Sequence, residues 1–353
     1  MPCRQLIAPP SFVFWKASDL KHTVFALAAA VSLCANVARA DMVDEILDDQ
    51  ILPAMQALAE SGQDLADVAK TICRPGASPL RDAYAQAFDD WIRVSHLRFG
   101  PTETDNRAFA LAFWPDSRGK TPKTLATHLR EADPALLTPQ RFAQSSIAGR
   151  GFYALEFMYF DQDFTSAKPH EYRCALTAAM ARDIATNATA IHQEWQDSYA
   201  NQMRTASGRY QNKTEVKQEL YKSLNTGLQM LADMRLGRPL GSFDKPRPKR
   251  AEAWRSGRSQ HHIVLALQAL QPLAIALADG DQDLTVQLEA AFQKPILRAQ
   301  RLEDPRLKGV ADPAKRFRIE ALQQEVNDLR ALIESDLGPS LGVLAGFNSL
   351  DGD

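Results

Sequence analysis

The stretch Ser145–Phe160, SSIAGRGFYALEFMYF, decides how this chain is read: a small-residue entry runs into an aromatic segment carrying a single acid, Glu156. Read as a helix, its 3.6-residue period sets Phe152, Leu155, Tyr159 and Phe160 along one side and stacks Tyr153 under Glu156 on another. A carboxylate on so apolar a helix needs a partner, because an ionised acid buried alone costs several kcal/mol, on the order of the penalty for any unpaired ion. That partner is a metal, an arginine or a hydrogen-bond donor. The plainer alternative is a core tyrosine and glutamate joined by an internal hydrogen bond.

Outward from this segment the pattern stays helical. Val43, Ile46, Leu47, Ile51, Met55, Leu58, Leu65, Val68 and Ile72 recur at three- and four-residue steps, predicting an amphipathic helix broken near Ser61-Gly62. A second helix starts at Ser78-Pro79 and stops at Gly100-Pro101. Cap-then-proline starts recur at Thr121-Pro122, Asp133-Pro134, Thr138-Pro139 and Asp312-Pro313. Between the second and third helices lies a loop, residues 102–120, whose Phe113-Trp114-Pro115-Asp116 combines aromatics with an acid, a pairing common at binding loops. After the central segment a long helix runs from Glu171 to about Arg204, and the polar Ser207–Asn212 marks a domain boundary, with Thr214 placed to cap the next helix. Further helices follow to Gly237, from about Arg255 to Ala278, from Leu284, and from Pro313 to Leu337. Strand alternation and hairpin signals are absent. The expected fold is all-α, two tandem helical bundles packed together: residues 41–207 carry the central motif and residues 208–353 form the second bundle.

The first 40 residues read differently. Lys16, Lys21 and His22 precede an apolar run, Val24–Val37, that ends in Ala38-Arg39-Ala40 before an acidic segment, the pattern of a secretory signal peptide over residues 1–40 cleaved to leave Asp41. The run is too short to span a bilayer comfortably, so no membrane span is expected after cleavage, and Leu33 disfavours lipidation of Cys34. The long segment ahead of that run suggests a translation start downstream of Met1. Cleavage removes four basic residues and one acid, moving the formal charge from −2 to about −5. The one dense basic segment, Lys245–Arg250, is broken by prolines, so nucleic acid is not the expected partner. Cys73 and Cys174 remain, and an even pair in an oxidising envelope compartment is expected to form a disulfide.

HExxH and glycine-rich phosphate loops are missing, and no GxSxG elbow between a strand and a helix is present. His128-Leu-Arg-Glu131 reads as a solvated helix face, and the adjacent His261 and His262 point about 100° apart, against a shared metal. Ser256, Ser259 and Gln260 beside Arg255 and Arg258 form a polar helix start that either binds an anion or caps the helix.

Four stretches, GRGFYALEF, FWPDSRGK, AWRSGRSQHHI and LGPSLGVLAGFNSLDGD, together resemble the imelysin family of bacterial envelope proteins. The resemblance implies an all-helical protein of two related bundles, exported to the periplasm or cell surface and associated with iron uptake, from a family historically labelled metallopeptidase. It also implies neighbours among envelope iron-uptake or redox proteins. The family signature Gly-x-His-x-x-Glu, whose His and Glu are taken as metal ligands, falls here on Gly151, Tyr153 and Glu156, so tyrosine stands where the family has histidine. A phenol ligates only when deprotonated, from a reference pKa of about 10, and that suits a hard ferric ion in an oxygen shell. The expected metal set is therefore Tyr153, Glu156 and Asp116, with iron or another metal as cofactor; Arg150, Gly151, Trp114, Arg255 and Ser259 are expected around the ligand. Catalytic zinc usually takes three protein ligands and a water, so no catalytic residue is assigned. A metal-associated binding protein is the leading expectation. A metallopeptidase and a metal-free partner-binding scaffold of the same fold are the alternatives.

Overall fold

The apolar repeats become helices throughout the computed structural model, which describes residues 41–342. The expected signal peptide over residues 1–40 and the Gly346–Asp353 ending lie outside the described residues. Nine longer helices set the architecture: α1 (Leu52–Thr71), α2 (Ser78–Val94), α3 (Lys120–Glu131), α4 (Gly151–Phe160), α5 (His170–Glu194), α6 (Lys213–Gln229), α7 (Ser259–Leu277), α8 (Gln282–Gln300) and α9 (Pro313–Leu332). Among the described residues no strand forms; the one β-bridge is isolated, Ser242 to Lys245.

In the first half, α5 lies along α1, α2 packs on α1, and α4 leans on α3 and α5. In the second half, α7 packs on α6 and α8, and α9 closes against α8, α6 and the π-helical turn Met230–Gly237 that extends α6. The halves meet where α7 lies on α2 and on the short helix Met42–Ile46, so one continuous apolar core runs through both. Four π-helical segments extend the long helices, including Trp195–Tyr199 after α5 and Ile333–Leu337 after α9. Each widens a turn without ending its helix.

Several local expectations are corrected. Helix α1 runs unbroken through Ser61 and Gly62, because Gly62 faces α5 at close range: a Cβ there would stand 3.4 Å from Ala185 Cα and 3.5 Å from Ala188 Cβ. The glycine serves helix contact, not a break. Helix α2 ends at Val94, five residues short of Phe99. The cap of α6 is Asn212, whose side chain accepts from Glu215 N at 3.0 Å, and not Thr214, which lies within the first turn. Asp133 and Asp312 do cap their helices, whereas Thr138 makes no side-chain cap and Thr121 sits inside α3. The region around Arg255 is a turn, and α7 begins only at Ser259.

Cys73, just past α1, is bonded to Cys174 on α5, with 5.2 Å between their Cα atoms. The bond staples the two longest helices of the first half across 101 residues of chain. In the loop-entropy view such a closure stabilises by about 4 to 5 kcal/mol. Arg173 lies buried against this bridge, its guanidinium 3.4 Å from Cys73 Sγ.

Candidate functional site between the bundles

Entry into α4 is fixed by two residues. Gly151 has φ +74°, and a Cβ there would fall 2.2 Å from the Leu111 carbonyl oxygen and 2.4 Å from that of Ala110. Only glycine fits where two backbones cross this closely. Before it, Arg150 donates from Nε and Nη2 to both Asp183 oxygens at 2.9 Å and from Nη1 to the Ala143 carbonyl at 2.7 Å. Both are buried, so Arg150 and Gly151 anchor the helix, and neither lines the cavity described below.

From α4, Tyr153 and Glu156 both reach the segment that precedes α7. The Tyr153 hydroxyl donates to Glu252, and Glu156 Oε1 accepts from Ser256 N at 2.9 Å and Ser256 Oγ at 2.8 Å. Glu156 therefore has hydrogen-bond donors for its partner, one of the open alternatives, although its bonds run to Ser256 and not to Tyr153. Burial raises its pKa, against the pull of the Ser256 donors and of nearby Arg255. Burial and the adjacent Glu252 raise that of the Tyr153 phenol well above its ordinary value.

Behind this pair lies a buried polar chain absent from the sequence reading. Arg235 donates from Nε to Glu252 at 2.6 Å, and His262 Nδ1 stands 3.4 Å from the same carboxylate. On its other side His262 Nε2 is 3.7 Å from Asp89 of α2, which also pairs with Arg258 and lies 3.0 Å from His261 Nε2. The two histidines do point apart, yet one carboxylate spans the gap between them. His262 is fully buried, edge-on to Phe88, and burial lowers its pKa despite the neighbouring acids. Although burial opposes it, Arg235 and His262 keep Glu252 ionised well below the usual carboxylate range. A local signal for part of this existed in Asp89-Asp90, two acids among aromatics; Glu252, between alanines, gave none.

In front of the pair is a cavity of about 300 Å³, lined by Tyr153, Glu156, Phe157, Trp114, Trp254 and the basic residues Arg238, Lys249, Arg250 and Arg255. Trp114 stacks on Tyr153 with ring centres 6.1 Å apart. Arg255 bonds Asp161 at 2.8 Å while its guanidinium lies 3.6 Å over Phe157 and 4.5 Å over Trp254. Arg238, Lys249 and Arg250 have no carboxylate partner among the described residues; the guanidinium of Arg238 makes one hydrogen bond, to Ser117 Oγ at 3.4 Å. Burial and nearby Arg250 lower the Arg238 pKa.

The donor set does not fit a protein-held metal ion. Tyr153 stays a phenol and donates a hydrogen bond to Glu252, Glu156 is held by Ser256, and Asp116 is used at the start of α3, where Lys120 N and Thr121 N each donate to it at 2.8 Å. Among the described residues, three His, Cys, Asp or Glu side chains with ligand atoms close together occur only at Cys73, His170 and Cys174, whose sulfurs are already bonded to each other. Ser259, also expected at the ligand, is buried at the first turn of α7 and does not line the cavity; Trp114 and Arg255 do. The imidazole of His128 packs over Gly149, with 3.0 Å from Nε2 to a Cβ placed there, while Glu131 points to solvent. They share no site, and His128 is less solvated than expected.

The sequence profile of the imelysin family matches residues 51–333. Among solved structures, an imelysin-like protein from Psychrobacter arcticum 273-4 superposes with a TM-score of 0.73 at 19% identity, covering 86% of this chain and 96% of that one. A protein from Parabacteroides distasonis ATCC 8503, provisionally named an iron-regulated protein A precursor, superposes with a TM-score of 0.68 at 13% identity over 85% and 93% of the two chains. No curated protein sequence matches the chain.

Proposed function

The chain belongs to the imelysin family, and from that membership we propose that it is an exported binding protein of iron uptake that holds a small ligand in the inter-bundle cavity. The carrying observation is that the motif residues Tyr153 and Glu156 line that cavity together with cationic side chains that have no carboxylate partner among the described residues. The name of the Parabacteroides relative, an iron-regulated protein precursor, supports the iron connection at the level of fold. Export to the periplasm is supported by the Cys73–Cys174 bond, a linkage that persists in oxidising compartments, and by the leader-like first 40 residues. Among the described residues no helix is long and apolar enough to cross a membrane.

Binding is favoured over peptide hydrolysis on chemical grounds. A zinc peptidase needs several protein ligands with an open position for water, and the imidazole of the family motif is a neutral phenol here. The test is a deletion strain grown with and without iron restriction, complemented by wild type or by Lys249→Gln/Arg250→Gln. Slower growth under restriction alone, rescued only by wild type, is expected. Equal growth in all strains would defeat the reading.

A further inference from the structure

The geometry points to a small planar aryl anion, of the aryl-carboxylate or catecholate kind, as the occupant of this cavity, with any iron carried inside that ligand and not bound by protein oxygens. This rests on the cavity being the binding site of the proposed function. Charge is the first argument. Arg238, Lys249 and Arg250 line the cavity without a carboxylate partner among the described residues, and Arg238 Nε is buried without any hydrogen-bond partner. Arg238 is half-buried and Lys249 and Arg250 are exposed, so an anionic ligand entering the cavity meets three positive charges that no carboxylate of the chain neutralises. The two acids of the lining cannot, because Asp116 accepts from Lys120 N and Thr121 N, and Glu156 accepts from Ser256. A bare metal cation meets the opposite field.

Shape is the second argument. Trp114 and Trp254 both line the space, and a cation already lies over each, Arg238 at 6.0 Å and Lys249 at 5.9 Å from the ring centres. Indole walls with cations above them suit a ligand that is flat and negative, since ring stacking and charge pairing are then satisfied together. Size limits it further. A volume of about 300 Å³ is at the small end for organic ligands, room for one substituted ring and not for an extended peptide.

The experiment titrates the purified full chain with 2,3-dihydroxybenzoate, its ferric complex, citrate, benzamide and zinc chloride, read by tryptophan fluorescence and calorimetry. Dihydroxybenzoate is expected to bind at least tenfold more tightly than citrate, which lacks the ring, or benzamide, which lacks the charge. Lys249→Gln, a change at an exposed residue that leaves the fold intact, is expected to weaken it about tenfold, as are Arg238→Gln and Trp254→Leu; a melting curve for each variant separates binding from folding. Citrate or benzamide binding as tightly as the aryl acid would overturn the inference. So would zinc binding that needs Glu156 while the aryl acid does not bind. Binding of the free acid but not of its ferric complex supports the aryl-anion site and defeats the iron reading; an iron-dependent growth defect without any aryl-acid binding does the reverse.

Discussion

Glu156 is an acid whose protein surroundings favour its neutral form. Burial raises its folded pKa above the unfolded value of 4.5, so the stability this preference contributes is present below that value and is lost as pH rises through the folded pKa. Glutamine keeps an Oε1 acceptor for both Ser256 donors and removes the charge. Glu156→Gln is therefore expected to fold normally and to match or exceed the wild-type melting temperature at pH 7, with the difference shrinking at pH 4.5. Melting curves at the two pH values decide it; a variant less stable at pH 7 than at pH 4.5, relative to wild type, contradicts the account. Tyr153 is held differently, as the hydrogen-bond donor to an ionised Glu252. Its phenol is thus held in the structure as a hydrogen-bond donor.

At the scale of elements, α4 depends on the approach of backbone to backbone at Gly151. Gly151→Ala forces a Cβ to within 2.2 Å of a main-chain oxygen at a positive φ, and neither segment can yield cheaply. A loss of at least about 3 kcal/mol, or failure to fold, is expected in urea denaturation. An alanine variant within about 1 kcal/mol of wild type would show the crossing to be looser than described. The disulfide acts on α1 and α5 in another way, mainly through the unfolded chain. Cys73→Ser with Cys174→Ser is expected to cost about 2 to 5 kcal/mol, measured by denaturation with and without reductant, and reductant should no longer affect the double variant. Unchanged midpoints would remove the staple from the account.

Across the whole molecule, the halves are joined by apolar packing of α7 on α2 and by the Tyr153–Glu252 hydrogen bond, with the His262 ring lying between Glu252 and Asp89. His262 is neutral there: its folded pKa lies below the unfolded 6.5, so its stabilising contribution is complete above 6.5 and is lost as pH falls through the folded value. His96, lowered to about 4 by burial and nearby Arg235, titrates in the same direction. Melting temperature is accordingly expected to decline below pH 6.5, with a shallower decline in His262→Gln. Glu252, Asp89 and Arg258 face the ring and set the size of the effect. A difference between His262→Gln and wild type that does not change from pH 7 to 5 would exclude a neutral buried His262.

The sequence by itself determined the elements, because a helix is written in local spacing: apolar positions three and four apart, aspartates before prolines, a glycine ahead of an aromatic run. It also determined the cysteine bridge, since only Cys73 and Cys174 follow the leader-like segment, and it singled out Tyr153 and Glu156 as an acid and a phenol one turn apart on an apolar helix. Local pattern misread Gly62 as a break because closeness to Ala185 is not encoded near residue 62. Nor could it show which atoms satisfy Glu156, since Ser256 lies 100 residues away. Only the tertiary structure brought Asp89, Arg235, Glu252 and His262 into one buried chain and placed Arg238, Lys249 and Arg250 around Trp114 and Trp254. Charge pairing acts through space over a few ångströms, whereas sequence records neighbours along the chain, so the sign and shape of the cavity emerged only when distant segments met.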